Sequence, residues 1–112
     1  MEMMNKYAVL SADLAEAYKK AFALYGGSED GGTCNFDGPA IKLPRWIEEK
    51  TRQAAKAAGL DCWKWELWGH SRFVIALPGE CGQANRRSRV SETMVTMLKA
   101  KGYDVTEYCC AD

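Results

Sequence analysis

No C-x-x-C pair occurs in this chain, and its five cysteines, Cys34, Cys62, Cys81, Cys109 and Cys110, are odd in number and irregular in spacing. That removes the paired-cysteine signature of a zinc finger and argues against a secreted disulfide framework, so a reducing compartment is expected. There is one histidine, His70, which leaves nucleophilic catalysis a single candidate base with no evident acid to orient it. The glycine-rich stretch Gly26 to Thr33 lacks the G-x-x-x-x-G-K-S/T pattern of a phosphate loop, and its acids would repel phosphate. Charge of one sign is also missing: 15 Lys plus Arg stand against 15 Asp plus Glu, for a net charge of +0. A general nucleic-acid coat would need a large positive excess. The longest apolar runs, such as Phe73 to Leu77, are far too short to cross a bilayer, and Met1 to Leu10 has no basic region leading into a long apolar one. A cytoplasmic protein with no membrane partner is therefore expected.

What is present is an ordinary globular composition, 47% hydrophobic and 27% charged over 112 residues, enough for one domain with one core. Lys6 to Leu10 reads as a short strand, with Ser11 as N-cap of a helix whose face is Leu14, Tyr18, Ala21, Phe22 and Tyr25 and which stops at Gly26. Cys34 to Leu43 reads as a strand bent at Asp37-Gly38-Pro39. Pro44 suits a first helical position, with Ile47, Thr51, Ala54, Ala55 and Ala58 on one face and a Schellman stop at Gly59-Leu60. Cys62 to Trp68 alternates, then Gly69-His70-Ser71 turns the chain into Arg72 to Leu77, the clearest hairpin in the sequence. Val90, Met94, Met97 and Leu98 mark a third helix ending at Gly102, and Tyr103 to Cys110 supplies a last strand. The sum is an α+β fold, three helices packed on a mixed or antiparallel sheet of about four to five strands, over residues 1–112 as a single domain.

The most distinctive stretch is Gly79 to Gly102, where Gln83, Asn85, Arg86, Arg87 and Arg89 crowd the start of the third helix. A helix N-terminus is partially positive, so arginines there oppose the dipole and call for an anion: a phosphate, a sulfate or a partner's carboxylates. The plainer reading is that Asp30, Asp37 or Glu80 neutralises them, or that they lie in solvent. For a metal, the best-placed set is Cys34 with His70 or Cys81, making zinc the one cofactor worth testing; buried thiols acting as small hydrophobes are the competing account. Adjacent strand residues point to opposite faces, which separates Cys109 from Cys110. Glu29-Asp30 and Glu48-Glu49 read as solvated charge rather than a catalytic pair. Of the four tryptophans, Trp63 and Trp65 share a strand face and are expected under the helices, whereas Trp46 and Trp68 fall near element ends as candidate anchors for a protein partner.

At Gly32-Thr33-Cys34-Asn35-Phe36-Asp37 and at Gly82-Gln83-Ala84-Asn85-Arg86-Arg87-Ser88-Arg89 the chain resembles small proteins encoded by phages and mobile elements of gut bacteria. That group is similar in size and origin to type II anti-CRISPR proteins, which bind Cas9 and block DNA loading or cleavage. The resemblance implies a non-enzymatic inhibitor working in the host bacterial cytoplasm, with a Cas9-type or other defence nuclease as its protein partner. Asn35, Asp37 and the arginine cluster would then meet that partner, with Glu29 and Asp30 mimicking phosphates against a basic wall. The reading from the residues alone is a small module that binds a phosphate ligand or nucleic acid through the arginine-led helix.

Overall fold

Leu10, Leu14, Ala17 and Ala21 recur at three- and four-residue intervals, and in the computed structural model they form the buried face of a helix, α1 (Lys6–Tyr25). The structure describes residues 5–25, 35–67, 69–78 and 84–111; within these, the side chains of residues 25, 35–37, 67, 84–88 and 109–111 lie outside the description. The expected strand at Lys6 to Leu10 is therefore corrected: it is the opening of α1. Its cap is Asn5 rather than Ser11, the Asn5 Oδ1 accepting the Ala8 N–H at 2.8 Å. Leu10 had already declared the helical period, since it stands one turn before Leu14 and is fully buried with it.

The remaining elements are β1 (Asn35–Ile41), α2 (Glu48–Ala57), β2 (Asp61–Leu67), β3 (His70–Ala76), α3 (Ala84–Ala100) and β4 (Val105–Ala111). The four strands form one antiparallel sheet in the order β2-β3-β1-β4, and with α2 and α3 they have the connectivity of a split βαβ arrangement. Three helices on a four-stranded antiparallel sheet is the α+β architecture expected. No helix among the described residues is long and apolar enough to cross a membrane.

Of the three predicted glycine stops, Gly59 and Gly102 are built as Schellman motifs, and Gly26 lies outside the described residues. Leu60 N–H reaches the Ala55 carbonyl and Gly59 N–H the Lys56 carbonyl, each at 2.9 Å, with Gly59 at φ 83°. At the end of α3, Tyr103 N–H and Gly102 N–H repeat the pattern to Leu98 and Lys99, with Gly102 at φ 99°. By contrast, α2 does not begin at Pro44. Pro44 and Arg45 occupy a turn closed by Trp46 N–H to the Leu43 carbonyl at 3.2 Å, and Ile47, 53% exposed, is the N-cap residue rather than a core contact.

The main core lies between the helices and one face of the sheet: Leu10 and Leu14 of α1, Ala54 and Ala55 of α2, Val90, Met94 and Leu98 of α3, and Ile41, Cys62, Phe73, Ile75 and Val105 from the strands. A polar clamp fixes α3 against α1 beside it. The Tyr103 hydroxyl donates to Asp13 Oδ2 at 2.6 Å, and Lys101 Nζ lies 2.9 Å from Glu16 Oε1 and 3.5 Å from Asp13 Oδ1. Burial, reinforced by the hydrogen bond to Asp13, pushes the Tyr103 hydroxyl pKa up, while the hydrogen bond from Lys101 holds the Glu16 carboxyl below its ordinary range.

Candidate functional site

Alternation along β2 decides what the sheet shows to the outside. Cys62 is fully buried on the helix side, so Trp63 and Trp65 point to the other face. This corrects the expectation that they pack under the helices. Cys62 aligns with Ile75 and Lys64 with Phe73 of β3, and it is this pairing, absent from the sequence of β2 alone, that chooses the side.

On the open face one row of residues crosses all four strands: Trp63, Val74, Ala40 and Thr106 are successive partners in register. Ala40 and Val74 are 0% and 2% exposed although they stand apart from the helix-side core, and Tyr108 packs against them in a second, smaller cluster. Tyr108 belongs to a row of aromatic rings. The Trp63 and Trp65 centroids are 6.3 Å apart and the Trp65 and Tyr108 centroids 5.4 Å apart, a continuous row from one edge strand to the other. Tyr108 is the register partner of Gly38. Trp65 is 42% exposed, the most exposed aromatic among the described side chains of this face.

Arg72, the register partner of Trp65, is the one charged side chain among the described strand residues of this face. Its Nη1 donates to the Ala40 carbonyl at 3.2 Å and to the Asp104 carbonyl at 3.4 Å, and its Nη2 lies 3.5 Å from Asp104 Oδ1. With its side chain only 14% exposed, the guanidinium is already engaged. What the arrangement offers is therefore a broad aromatic surface with little uncommitted charge.

The residues singled out from sequence fall elsewhere. α3 starts at Ala84, which puts the backbone of Asn85, Arg86 and Arg87 in its first turn as expected, with no acid in that turn; Arg89 falls in the second turn and is exposed. The side chains of Asn85, Arg86 and Arg87 lie outside the described set, as do all of Gln83, Cys34, Cys81 and Trp68. Asn35 and Asp37 are on β1, opposite Ala111 and Cys109. The antiparallel run from α3 into β4 brings the start of α3 to that same end of the sheet, whereas His70 opens β3 at the other end, exposed beside the β2–β3 turn. Among the described residues no group of three or more His, Cys, Asp or Glu is placed to hold a metal ion. Trp46 is not an exposed anchor: it is half-buried against the main core and meets Tyr7 edge to face at 5.0 Å.

Cys62 is the one cysteine whose side chain is described, and it is a core residue. Burial, with the Asp61 carboxylate beside it, pushes its thiol pKa up to about 12. Under native conditions at mildly alkaline pH, iodoacetamide is expected to leave Cys62 unmodified, and in denaturant to label it fully; peptide mapping by mass spectrometry reads both. Rapid native labelling at Cys62 would contradict the buried placement.

Comparison of the chain with protein-family models, with curated proteins and with solved structures returns no match.

Proposed function

We propose that this chain is a non-enzymatic interaction protein that captures a protein partner on the open face of its sheet, with Trp65 as the central anchor and Trp63, Tyr108 and Arg72 around it. The observation that carries this reading is the row of three rings on a face that no described helix covers. Trp, Tyr and Arg are the residue types that dominate interface hot spots, and an aromatic patch of this kind is rare on a surface that stays in water. The chemistry favours protein over nucleic acid, since a polyanion needs several free cations and the described strand residues of this face offer one arginine, which already has Asp104 as partner.

The resemblance to mobile-element proteins gives the partner a class, a Cas9-type nuclease, with inhibition of DNA loading or cleavage as the outcome. The arginine-led start of α3 would be a second contact or, in the alternative function, the binding site for a phosphate ligand or nucleic acid. The test is a pulldown with purified Cas9-type nuclease, with and without guide RNA, using the wild-type chain, Trp65→Ala and the charge reversal Arg86→Glu with Arg87→Glu. Capture by wild type that loosens at least about tenfold in Trp65→Ala is expected, the scale of a hot-spot truncation. Capture unaffected by Trp65→Ala removes the open face from the interface. If nuclease is not captured at all and the charge reversal abolishes DNA or nucleotide binding at fixed salt, the alternative holds.

A further inference from the structure

Between the β2–β3 turn and the β1–α2 connection lies a pocket of about 330 Å³. Its lining includes the basic residues Lys42, Arg45, Lys64 and His70, together with Ser71 and a single acid, Glu66. The Ser71 hydroxyl donates to Glu66 Oε2 at 2.9 Å. None of the four basic side chains makes an ion pair among the described residues, although the chain as a whole balances its charges. Phe73 and Leu43, both buried, line its apolar part.

Arg45 adds a separate observation. It is the third residue of the Leu43–Trp46 turn, after Pro44, and the only described residue other than glycine with positive φ, at 69°. That position, with proline before it, is where a type II turn takes glycine or asparagine. An arginine held in the left-handed region costs stability there, and such strain persists where the side chain has a use.

We infer that this pocket binds a terminal phosphate group, as carried by a diphosphate or a phosphate monoester of a small molecule. Two lysines and an arginine, none of them ion-paired among the described residues and outnumbering the one acid Glu66, match a group bearing more than one negative charge, and a guanidinium fork with ammonium donors is the usual means of holding one. His70 adds a ring N–H donor at the same mouth, while the Ser71 hydroxyl is spent on Glu66. A nucleic-acid backbone fits less well, because diester phosphates carry one charge each and successive ones require a basic track along the surface. The site is distinct from the open sheet face and from the start of α3.

The experiment is calorimetric titration of the full chain at fixed ionic strength in chloride, with pyrophosphate, with ADP and with an oligothymidylate lacking terminal phosphates. Saturable binding of pyrophosphate and ADP, weakened at least about tenfold in Arg45→Gly and in Lys64→Gln, is expected. Arg45→Gly should at the same time melt no lower than wild type, since glycine relieves the turn. Trp65→Ala should leave the titration unchanged. The inference is overturned by absence of saturable pyrophosphate binding, by binding that survives both substitutions, or by a lowered melting temperature in Arg45→Gly, which would make Arg45 a structural residue. Oligothymidylate binding tighter than ADP through the same residues would replace the small-molecule phosphate with nucleic acid.

Discussion

Gly38→Ala is expected to destabilise the fold by about 3 kcal/mol, the upper part of the range for forcing extra atoms into a packed interior. A Cβ built at Gly38 falls inside the contact distance of the Ile75 carbonyl oxygen and 3.3 Å from its carbonyl carbon. Both obstacles are backbone, so no rotamer change makes room. Pairing between β1 and β3 is confined to Ala40 and Ile41, next to this close approach, whereas β1 keeps its register with β4 along its whole length. Pro39, which has no N–H to donate, follows directly and helps explain why the ladder to β3 stops. Urea unfolding of Gly38→Ala against wild type measures the effect. A midpoint equal to wild type would mean that β3 does not pass over Gly38 as described.

Phe73→Ala should have an effect of similar or greater size, about 3–5 kcal/mol, by the opposite mechanism of leaving a void. Phe73 is 2% exposed, the largest of the fully buried side chains, and sits in the main core on β3, opposite Ile41 of β1 and Lys64 of β2. Against a typical total stability of about 5–15 kcal/mol, a loss of that size leaves a measurable unfolded fraction at room temperature. Trp65→Ala is the informative control, because a ring 42% exposed on the uncovered face loses far less burial. A denaturation series in which Trp65→Ala cost more than Phe73→Ala would place the core on the wrong side of the sheet.

Much of this fold was legible because its signals are local. Gly59 and Gly102 end helices at the expected residues, the hairpin from Cys62 to Leu77 forms, although His70 and Ser71 pair with Leu67 and Glu66 instead of making its turn, and α3 starts at Ala84, six residues before its apolar period begins at Val90. The misreadings share a physical cause, which is that the deciding information is tertiary. Val9 and Tyr7 suit a strand as well as a helix, and it is burial of Leu10 with Leu14 that settles the matter. Pro44 suits a helix start as well as a turn, and Arg45 in the left-handed region resolves it. For Trp63 and Trp65, alternation separated the two faces of β2 correctly but could not say which one the helices cover, because β3 is apolar on both. The pocket at the β2–β3 turn brings Lys42 and Arg45 of the β1–α2 connection to Lys64 of β2, and no spacing in the sequence joins those two segments.

The position of β1 also governs how the molecule can assemble. It lies between β3 and β4, yet both neighbours come later in the chain, β4 after all the other described elements. During synthesis β1 therefore leaves the ribosome with both edges bare, and the ladder from Asn35–Ala111 to Ile41–Val105 closes only after the other described elements exist. Closing that long loop makes late, slow folding the expected kinetic signature, with the β2–β3 hairpin forming first.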